Sequence, residues 1–469
     1  MRRQFAAALA IALLLSSAPA YARRRAVTPR GPAPSSPYLT EAIAAAEWLT
    51  SLERARGTNA ISWPDIEGGN GSSTGVGSGA AGIGAYFLKL HQSTGNPLFL
   101  DKAERAARFI ISEYRANRFS AHDWLAGASG TGDFLLELYT TTRSAEFLDG
   151  AKLAGEFLLR AAIVEGDGLY WKHHPTLENT YTGLAHGAAG VGIFLIRLHD
   201  VTQDARYLYA AERAYHWMEA YQLHLTSDTP AIAWKRLIAD SHGYTGWCGG
   251  AAGIVTFLDE LHRATGRTEY LDAWRATVEG LYAGAIRTRS APLEIAWLRS
   301  TNDNPGRSYP VIYCHGTAGN AVIVAEAAVR TGDVRYAEVT AGAGRFLDRV
   351  AVVTPQGLLW EHFTSGNLRE RGLLTGTAAV GHASLRMYAA TNDPAHLQRA
   401  IKAAEYLIAV ADHPRPGQSR WLDRIDDAET PAYRTGWYTG VAGVGIFLVE
   451  LHDTLRGRKL SSRFSSLNP

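Results

Sequence analysis

The sequence GLAHGAAGVGIFLIRLH at residues 183–199 is one of seven copies of a single pattern. Each copy has a Gly-x-x-Gly element ahead of a strongly apolar helical run, although the sixth replaces the second glycine with Ala379. Self-similarity at intervals of 48 to 66 residues indicates a repeat architecture. The first glycines of the copies are Gly79, Gly127, Gly187, Gly250, Gly316, Gly376 and Gly440.

A second helical pattern lies between these apolar runs. Its apolar residues recur at i, i+3, i+4 and i+7 with charge on the other face, which is typical of helices on the outside of a bundle. The glycine-led runs are apolar nearly all round, as expected of helices packed on both sides. The sequence therefore predicts an all-α protein in which seven inner and seven outer helices alternate. The outer copies begin at Tyr38, Phe99, Phe147, Tyr207, Tyr270, Tyr336 and His396.

An array of helical pairs either stays open as a solenoid or closes into a ring. An open solenoid needs polar terminal repeats, yet the first inner run (79–90) and the last (440–451) are as apolar as the others. We therefore predict a closed α/α toroid over residues 38–456, followed by a polar tail at 457–469. In such a ring the starts of the inner helices surround one mouth, where the positive ends of their dipoles converge.

The N-terminal segment predicts export. Arg2 and Arg3 precede an apolar run and an Ala-Tyr-Ala cleavage pattern at 20–22, which are the parts of a signal peptide over residues 1–22. The Pro-, Arg- and Ser-rich segment 23–37 predicts a flexible lead-in. We expect a periplasmic or extracellular protein with no membrane span after processing, because no later run is apolar over about 18 residues.

The charge balance excludes nucleic acid as a partner. The net charge of +2 arises from six arginines ahead of Tyr38, while the remainder carries 41 basic and 45 acidic residues. A mildly acidic body has no basic face for a phosphate backbone. We expect a monomer that acts on a peptide or a small thiol.

The repeat register separates scaffold from site. A histidine follows the first glycine by 12 residues in four copies, and a position shared so widely indicates packing or capping: His91, His199, His262 and His452. The only two cysteines, Cys248 and Cys314, instead share one slot in neighbouring copies, two residues before the first glycine. His315 follows Cys314, and His186 holds the equivalent position two copies earlier.

Two cysteines and a histidine at adjacent helix starts are the donors of a catalytic zinc site whose fourth position is open. Helix N-termini and a metal both favour deprotonated sulfur. The competing interpretation is a disulfide, which exported proteins commonly form, but His315 beside Cys314 favours a metal. His186 and Asp123 face the same cavity and are predicted to be catalytic, against the alternative that they are a polar residue at a helix start and an N-cap.

These motifs resemble the lanthionine synthetase C-like family, the lantibiotic cyclases and their relatives, over roughly residues 38–456. The resemblance is most specific at 247–250 (Trp-Cys-Gly-Gly) and 314–316 (Cys-His-Gly). It implies an α/α toroid with zinc held by the two cysteines and His315, and it matches the Ala-His-Gly motif at 185–187 and the active-site acid at Asp123. Two positions depart from the family pattern. Gly249 stands in place of an aromatic residue, and Tyr244 stands where an arginine is expected.

The resemblance implies thioether formation. Zinc lowers the pKa of a substrate thiol, and the thiolate adds to a dehydroalanine or dehydrobutyrine in a peptide. His186 then protonates the resulting enolate, with Asp123 orienting the ring. One alternative is an exported glycan-processing toroid, which needs a pair of carboxylates at the mouth, with Asp65, Glu67 and Asp123 as candidates. Another is a non-catalytic peptide-binding ring with a structural zinc or disulfide.

Overall fold

The computed structural model describes residues 36–174, 179–225, 230–306, 308–366, 368–425 and 432–460. The predicted signal peptide lies outside the described residues, as do residues 23–35 of the lead-in and 461–469 of the polar tail. Within the described ranges, no helix combines the length and the apolar character that a bilayer span requires.

Seven inner helices of 15 residues each begin directly after the glycine that the repeat predicts, which confirms the inner set. The glycines permit close packing at these starts. A Cβ on Gly187 would collide with the carbonyl oxygen of Tyr181, and one on Gly190 with that of Leu184. The inner helices are α2 (Ala80–Thr94), α4 (Ala128–Thr142), α6 (Ala188–Thr202), α8 (Ala251–Thr265), α10 (Thr317–Thr331), α12 (Thr377–Thr391) and α14 (Val441–Leu455).

Seven outer helices alternate with the inner ones and begin one or two residues before their predicted starts. Several begin with a capping side chain, as where Asp204 accepts a hydrogen bond from the amide of Arg206 at 3.0 Å. The outer helices are α1 (Pro37–Ser51), α3 (Pro97–Arg115), α5 (Ala145–Ala161), α7 (Ala205–Glu219), α9 (Thr268–Ala283), α11 (Val334–Arg349) and α13 (Pro394–Ala409).

The helices close into a toroid. Each inner helix contacts the next one along the chain, and the last, α14, contacts the first, α2. Each outer helix packs on the inner helix that precedes it, except that α1 packs on α14 from the other end of the chain. The Oγ atom of Ser36, which caps α1, lies 2.7 Å from Nδ1 of His452 in α14. The buried apolar side chains of both helical layers form one continuous core.

The four repeated histidines belong to this scaffold. Each lies near the end of an inner helix and contacts the residue that caps an outer helix, as where Nδ1 of His199 lies 3.0 Å from the carbonyl oxygen of Asp204. The other three are His91 against Asn96, His262 against Arg267 and His452 against Ser36.

Short antiparallel strands, which the sequence pattern does not predict, connect outer helices to the following inner helices. Five hairpins pair consecutive strands, and the last two strands pair across a longer segment. The strands are β1 (Arg54–Ala55), β2 (Ile61–Ser62), β3 (Ile163–Glu165), β4 (Gly168–Tyr170), β5 (Gln222–His224), β6 (Ile232–Trp234), β7 (Ile286–Ser290), β8 (Leu293–Ala296), β9 (Val352–Thr354), β10 (Gly357–Leu359), β11 (Arg369–Glu370) and β12 (Arg424–Ile425).

A buried tryptophan anchors six of the described connections: Trp63, Trp171, Trp234, Trp297, Trp360 and Trp421. In five of them the indole N–H donates to a carbonyl of the preceding outer helix, as from Trp171 to Leu158 at 2.8 Å. The residue two positions after each tryptophan is polar or charged. We call these residues the mouth set: Asp65, His173, Arg236, Arg299, His362 and Asp423.

Candidate functional site

The mouth of the toroid is built on a closed circle of backbone hydrogen bonds. The slot that holds the two cysteines occurs once in each copy, and its amide donates to the carbonyl of the same slot in another copy. Cys248 donates to Cys314 at 2.7 Å, for example, and the circle closes where Tyr438 donates to Gly77 at 2.8 Å. The slot residues are Gly77, Leu125, Ala185, Cys248, Cys314, Leu374 and Tyr438. The repeat thus brings seven equivalent positions to one ring.

Cys248 and Cys314 lie side by side in this circle with their Cα atoms 5.0 Å apart, and their sulfurs form a disulfide. The two predicted zinc ligands are therefore adjacent but oxidised, and bonded sulfurs do not bind zinc as thiolates. Once reduced, the same two sulfurs and the imidazole of His315 make an S₂N donor set, which suits zinc. The zinc prediction accordingly concerns the reduced chain and stays a prediction.

His315 is held by a second histidine that the repeat pattern did not single out. Nε2 of His315 lies 2.9 Å from Nε2 of His362, and Nδ1 of His362 lies 2.6 Å from a carboxylate oxygen of Glu370. Burial lowers the pKa of His315 to about 3, with smaller contributions from His362, Arg299 and Arg236. The ring is therefore neutral near pH 7, which is the form that binds a metal.

His186 and Asp123, the two predicted catalytic residues, contact each other. Nδ1 of His186 lies 2.6 Å from Oδ2 of Asp123, whose side chain is buried. Burial raises the pKa of Asp123, but its contacts with His173 and His186 outweigh this and hold the pKa below its ordinary value. Oδ1 of Asp123 also accepts from the amide of Ala126 at 2.8 Å, in the turn before α4. The N-cap of α4 is Gly127, so the interpretation of Asp123 as the N-cap is wrong, and its catalytic role stays a prediction.

His173 is a third member of this group. Its Nδ1 lies 2.8 Å from the same Oδ2 of Asp123, and the carboxylate raises the pKa of His173. The ligand atoms of Asp123, His173 and His186 lie within 4.8 Å of one another, which is close enough for a shared metal ion. Two ligands of a tetrahedral zinc lie about 3.3 Å apart, however, so the shorter contacts to Oδ2 describe a hydrogen bond with His186 and an ion-pair contact with His173.

A cavity of about 310 Å³ opens over this part of the mouth. His186, Cys248, Cys314 and His315 line it together, so four of the five predicted site residues share one cavity and the fifth, Asp123, supports His186 from below. No acidic side chain is among the described residues that line it. The remaining lining residues are Leu125, Tyr181, Gly183, Arg236, Tyr244, Gly246, Gly249, Gly250, Arg299 and Tyr438.

Sequence reasoning missed four of these groups, namely His173, Arg236, Arg299 and His362. All four belong to the mouth set, and the signal that finds them is the Trp-x-polar spacing after each hairpin. Because the tryptophan is buried against the outer helix, the side chain two residues later reaches the mouth.

The carboxylates considered for glycan cleavage do not come together in one cavity of the described residues. Asp123 is occupied by two histidines, and Glu67 forms an ion pair with Arg420. Asp65 accepts from Oγ of Ser73 at 3.1 Å and lines a separate cavity of about 390 Å³. The described part of the mouth therefore offers no pair of facing carboxylates from these candidates.

Comparison with known proteins gives a family and a fold. Residues 52–392 match the model of the family described as lanthionine synthetase C-like protein. A sugar epimerase from a ruminal bacterium is 14% identical, with 89% of this chain and 98% of that structure covered at a TM-score of 0.51. The cellobiose 2-epimerase of Bacillus thermoamylovorans B4167 is 12% identical, with 88% and 96% covered and a TM-score of 0.52.

A nisin cyclase structure is 18% identical, with 72% of this chain and 81% of that structure covered at a TM-score of 0.48. No curated protein sequence matches the chain. At 14% and 12% identity, the likeness to the two epimerase structures establishes a shared fold alone.

Proposed function

Because the chain belongs to the lanthionine synthetase C-like family, we propose that it is an exported zinc enzyme that adds a thiol to a dehydroamino acid in a peptide and so forms a thioether. One observation carries this proposal. His186, bonded to the buried carboxylate of Asp123, lines the same cavity as Cys248, Cys314 and His315. A proton donor and a soft donor set therefore face one space large enough for the reacting ends of two substrates.

In the reduced chain, Cys248, Cys314 and His315 would hold the metal. Zinc bound there supplies an open coordination position and lowers the pKa of a thiol that occupies it. His362 and Glu370 fix the ring of His315 through a chain of two contacts, which is how proteins commonly orient a metal-binding histidine.

His186 handles the proton. Its Nδ1–H donates to Asp123, which leaves Nε2 to exchange a proton with the cavity. When the thiolate forms a carbon–sulfur bond to the alkene, the electron pair of the double bond moves to the neighbouring carbon as an enolate, which takes the proton from Nε2. The proton released when the thiolate formed restores His186, so the net change is addition of S–H across C=C.

The export part of the proposal rests on the sequence of residues 1–22. An oxidising compartment favours the disulfide that joins Cys248 to Cys314. The proposed activity therefore requires that this bond be reduced before the two sulfurs bind zinc.

The experiment compares reduced and oxidised protein. We expect the reduced protein to bind one zinc per chain and to convert a peptide that contains dehydroalanine and cysteine into its thioether. We expect the oxidised protein to do neither. Cys314→Ser abolishes both properties, whereas His262→Gln, at an exposed scaffold position, retains them. Absence of zinc from the reduced protein, or full activity in Cys314→Ser, contradicts the proposal.

A related outcome distinguishes a second function. If the reduced protein binds zinc tightly but no thiol competes for the metal, the ring is a peptide-binding toroid with a structural zinc. A spectroscopic probe metal such as Co²⁺ separates the two cases, because a thiol that enters its open coordination position changes its absorption bands while the metal stays bound.

A further inference from the structure

Two arginines of the mouth set, Arg236 and Arg299, enter the cavity from equivalent positions in neighbouring copies. Each follows its buried tryptophan by two residues, so the scaffold that places one places the other.

Arg236 is seated by the two positions that depart from the family pattern. Its guanidinium carbon lies 4.6 Å from the centroid of the Tyr244 ring, in a cation–π arrangement. Its Cγ and Cδ lie so close to Gly249 that a Cβ there would be 3.0 Å from both. A larger residue at 249 would press on the arginine stem. Tyr244 and Gly249 therefore form the support and the space that Arg236 uses.

Neither arginine has a close acidic partner among the described residues. Nε of Arg236 is buried without a hydrogen-bond partner, and the nearest ion-pairing atom, Oδ2 of Asp240, is 4.0 Å away. That carboxylate oxygen already accepts from the amide of Leu237 at 2.9 Å. Arg299 is exposed and has no ion pair within the described ranges. A buried donor without an acceptor is costly, so the cavity is complementary to an anion.

Another residue of the mouth set does have a close partner of opposite charge. There the equivalent position is Asp423, and its Oδ2 lies 2.5 Å from Nε of Arg434, within a cavity that acidic and basic residues line together. The mouth-set position is thus part of a close ion pair in one cavity, whereas in the other it carries a positive charge without a close acidic partner.

We propose that Arg236 and Arg299 form a carboxylate-binding subsite beside the cysteines and His186, so that the preferred substrate carries a carboxylate next to its reacting group. This inference rests on the proposed function for the identity of the reacting groups. A planar guanidinium pairs with a carboxylate through two parallel hydrogen bonds, and peptides supply carboxylates at their C-terminus and on acidic side chains. Converging helix N-termini add to the attraction for an anion.

Four small probes, two acids and their amides, test the subsite. N-acetylcysteine and N-acetylcysteinamide differ in the carboxylate alone, and N-acetylalanine keeps the carboxylate without the thiol. We measure their affinities by calorimetry for the full-length mature protein, reduced and supplied with zinc. We expect N-acetylcysteine to bind about tenfold more tightly than its amide, the effect of one charge-assisted pairing. N-acetylalanine should keep the same preference over N-acetylalaninamide.

The variants locate the effect. Arg236→Ala and Arg299→Ala should each reduce the preference for the carboxylate to less than about threefold, and Arg236→Lys should retain part of it. Arg275→Ala, which removes an exposed charge from α9, is the matched control and should leave the preference unchanged. Gly249→Ala should weaken it by displacing the Arg236 stem. Thermal unfolding of each variant reports whether it is folded.

Two results overturn the subsite: equal binding of each acid and its amide by the wild-type protein, or full preference in both arginine variants. Inorganic phosphate binding as tightly as N-acetylalanine would also overturn the assignment to a carboxylate. If an arginine variant does not fold, loss of the wild-type preference as salt is raised supports the proposal, and its persistence contradicts it. Failure of the zinc proposal gives a different result from failure of the subsite. N-acetylcysteine would then bind no better than N-acetylalanine, while the preference for each acid over its amide would remain.

Discussion

Glu450, deep in the toroid, is completely buried between His382 and Lys89, whereas Arg236 at the mouth has a buried Nε without an acceptor. Glu450 belongs to a set that we call the interior ring, in which every inner helix carries a charged residue ten positions after its first glycine. The interior ring is Lys89, Glu137, Arg197, Glu260, Glu326, Arg386 and Glu450. The mouth set and the interior ring both recur with the repeat, but they differ in whether their charged residues are paired.

In the interior ring, opposite charges on neighbouring helices pair. Arg197 bonds to Glu137 at 2.5 Å, Arg386 to Glu326 at 2.6 Å and Lys89 to Glu450 at 3.2 Å. Pairing offsets the cost of removing these charges from water. The mouth cavity instead holds two arginines, Arg236 and Arg299, that have no close acidic partner among the described residues. The scaffold thus pairs its own charges, and the arginines without a close acidic partner are where we propose that a ligand binds.

Breaking the interior ring should have the largest effect. Glu450→Ala leaves a partly buried lysine and a fully buried histidine without their carboxylate, and we expect a loss of about 3–5 kcal/mol in the free energy of unfolding. Chemical denaturation measures this loss. Glu405→Ala, which breaks the half-exposed pair with Lys402, is the control and should cost less than about 1 kcal/mol. Equal losses in the two variants would contradict the distinction.

The effect of Glu450 should depend on pH. Although burial raises its pKa, Lys89, His382 and Arg386 together lower it to about 2. Its contribution is therefore present above the ordinary glutamate pKa and is lost as the pH falls through about 2. The difference in unfolding free energy between wild type and Glu450→Ala should shrink over that acid range.

Reduction of the cysteine pair should have the next largest effect. The disulfide closes a loop of 66 residues, and we expect its reduction without metal to lower the unfolding free energy by about 2–4 kcal/mol. Added zinc should restore part of this loss if the reduced pair binds it. Cys314→Ser should respond to neither treatment. A reduced wild-type protein that gains no stability from zinc would count against the predicted ligands.

At the mouth, Asp123→Asn should lower the rate of thioether formation about 100-fold, because His186 loses the carboxylate that orients its ring. Zinc content should be unchanged, since Asp123 is not among the predicted ligands. Asp272→Asn, on the exposed face of α9, is the control. A rate within a few-fold of wild type would limit Asp123 to holding the turn before α4 through the amide of Ala126.

The smallest effect concerns His173. Because the Asp123 carboxylate raises its pKa in the folded protein, its stabilising contribution is present below the unfolded histidine pKa of 6.5 and disappears as the pH rises through the folded value. His173→Asn should therefore cost more stability at pH 5.5 than at pH 9, by less than about 1 kcal/mol. Unfolding curves at the two pH values check this, and an equal cost at both would contradict it.

The helical part of the fold followed from sequence because it is repeated and strongly patterned. Each glycine-led start, such as Gly187 before α6, appears in the structure at the predicted residue. The strands were not predictable in this way, since segments of two to five residues carry too little periodicity to stand out. Their pairing depends on the turn and on the buried tryptophan that follows.

The site was predictable only where it shares the glycine register. Cys248 and Cys314 were found because they share one slot, and His315 because it follows that slot directly. The redox state of the sulfurs depends on their surroundings and not on spacing. Arg236 and His362 lie in the connections, out of register with the glycines, and their roles required the three-dimensional packing of one loop against another. The two departures from the family pattern make sense only beside Arg236.

The pairing of α1 with α14 affects the order in which the helical pairs form during synthesis. Six helical pairs can form as the chain emerges, because their members are neighbours in sequence, but α1 waits for a partner made at the other end of the chain. At ordinary rates of synthesis that interval is on the order of half a minute. During it the buried face of α1, which includes Trp48 and Leu49, has no inner helix to cover it. Chaperones that recognise exposed apolar helices should therefore bind this protein at its first helix.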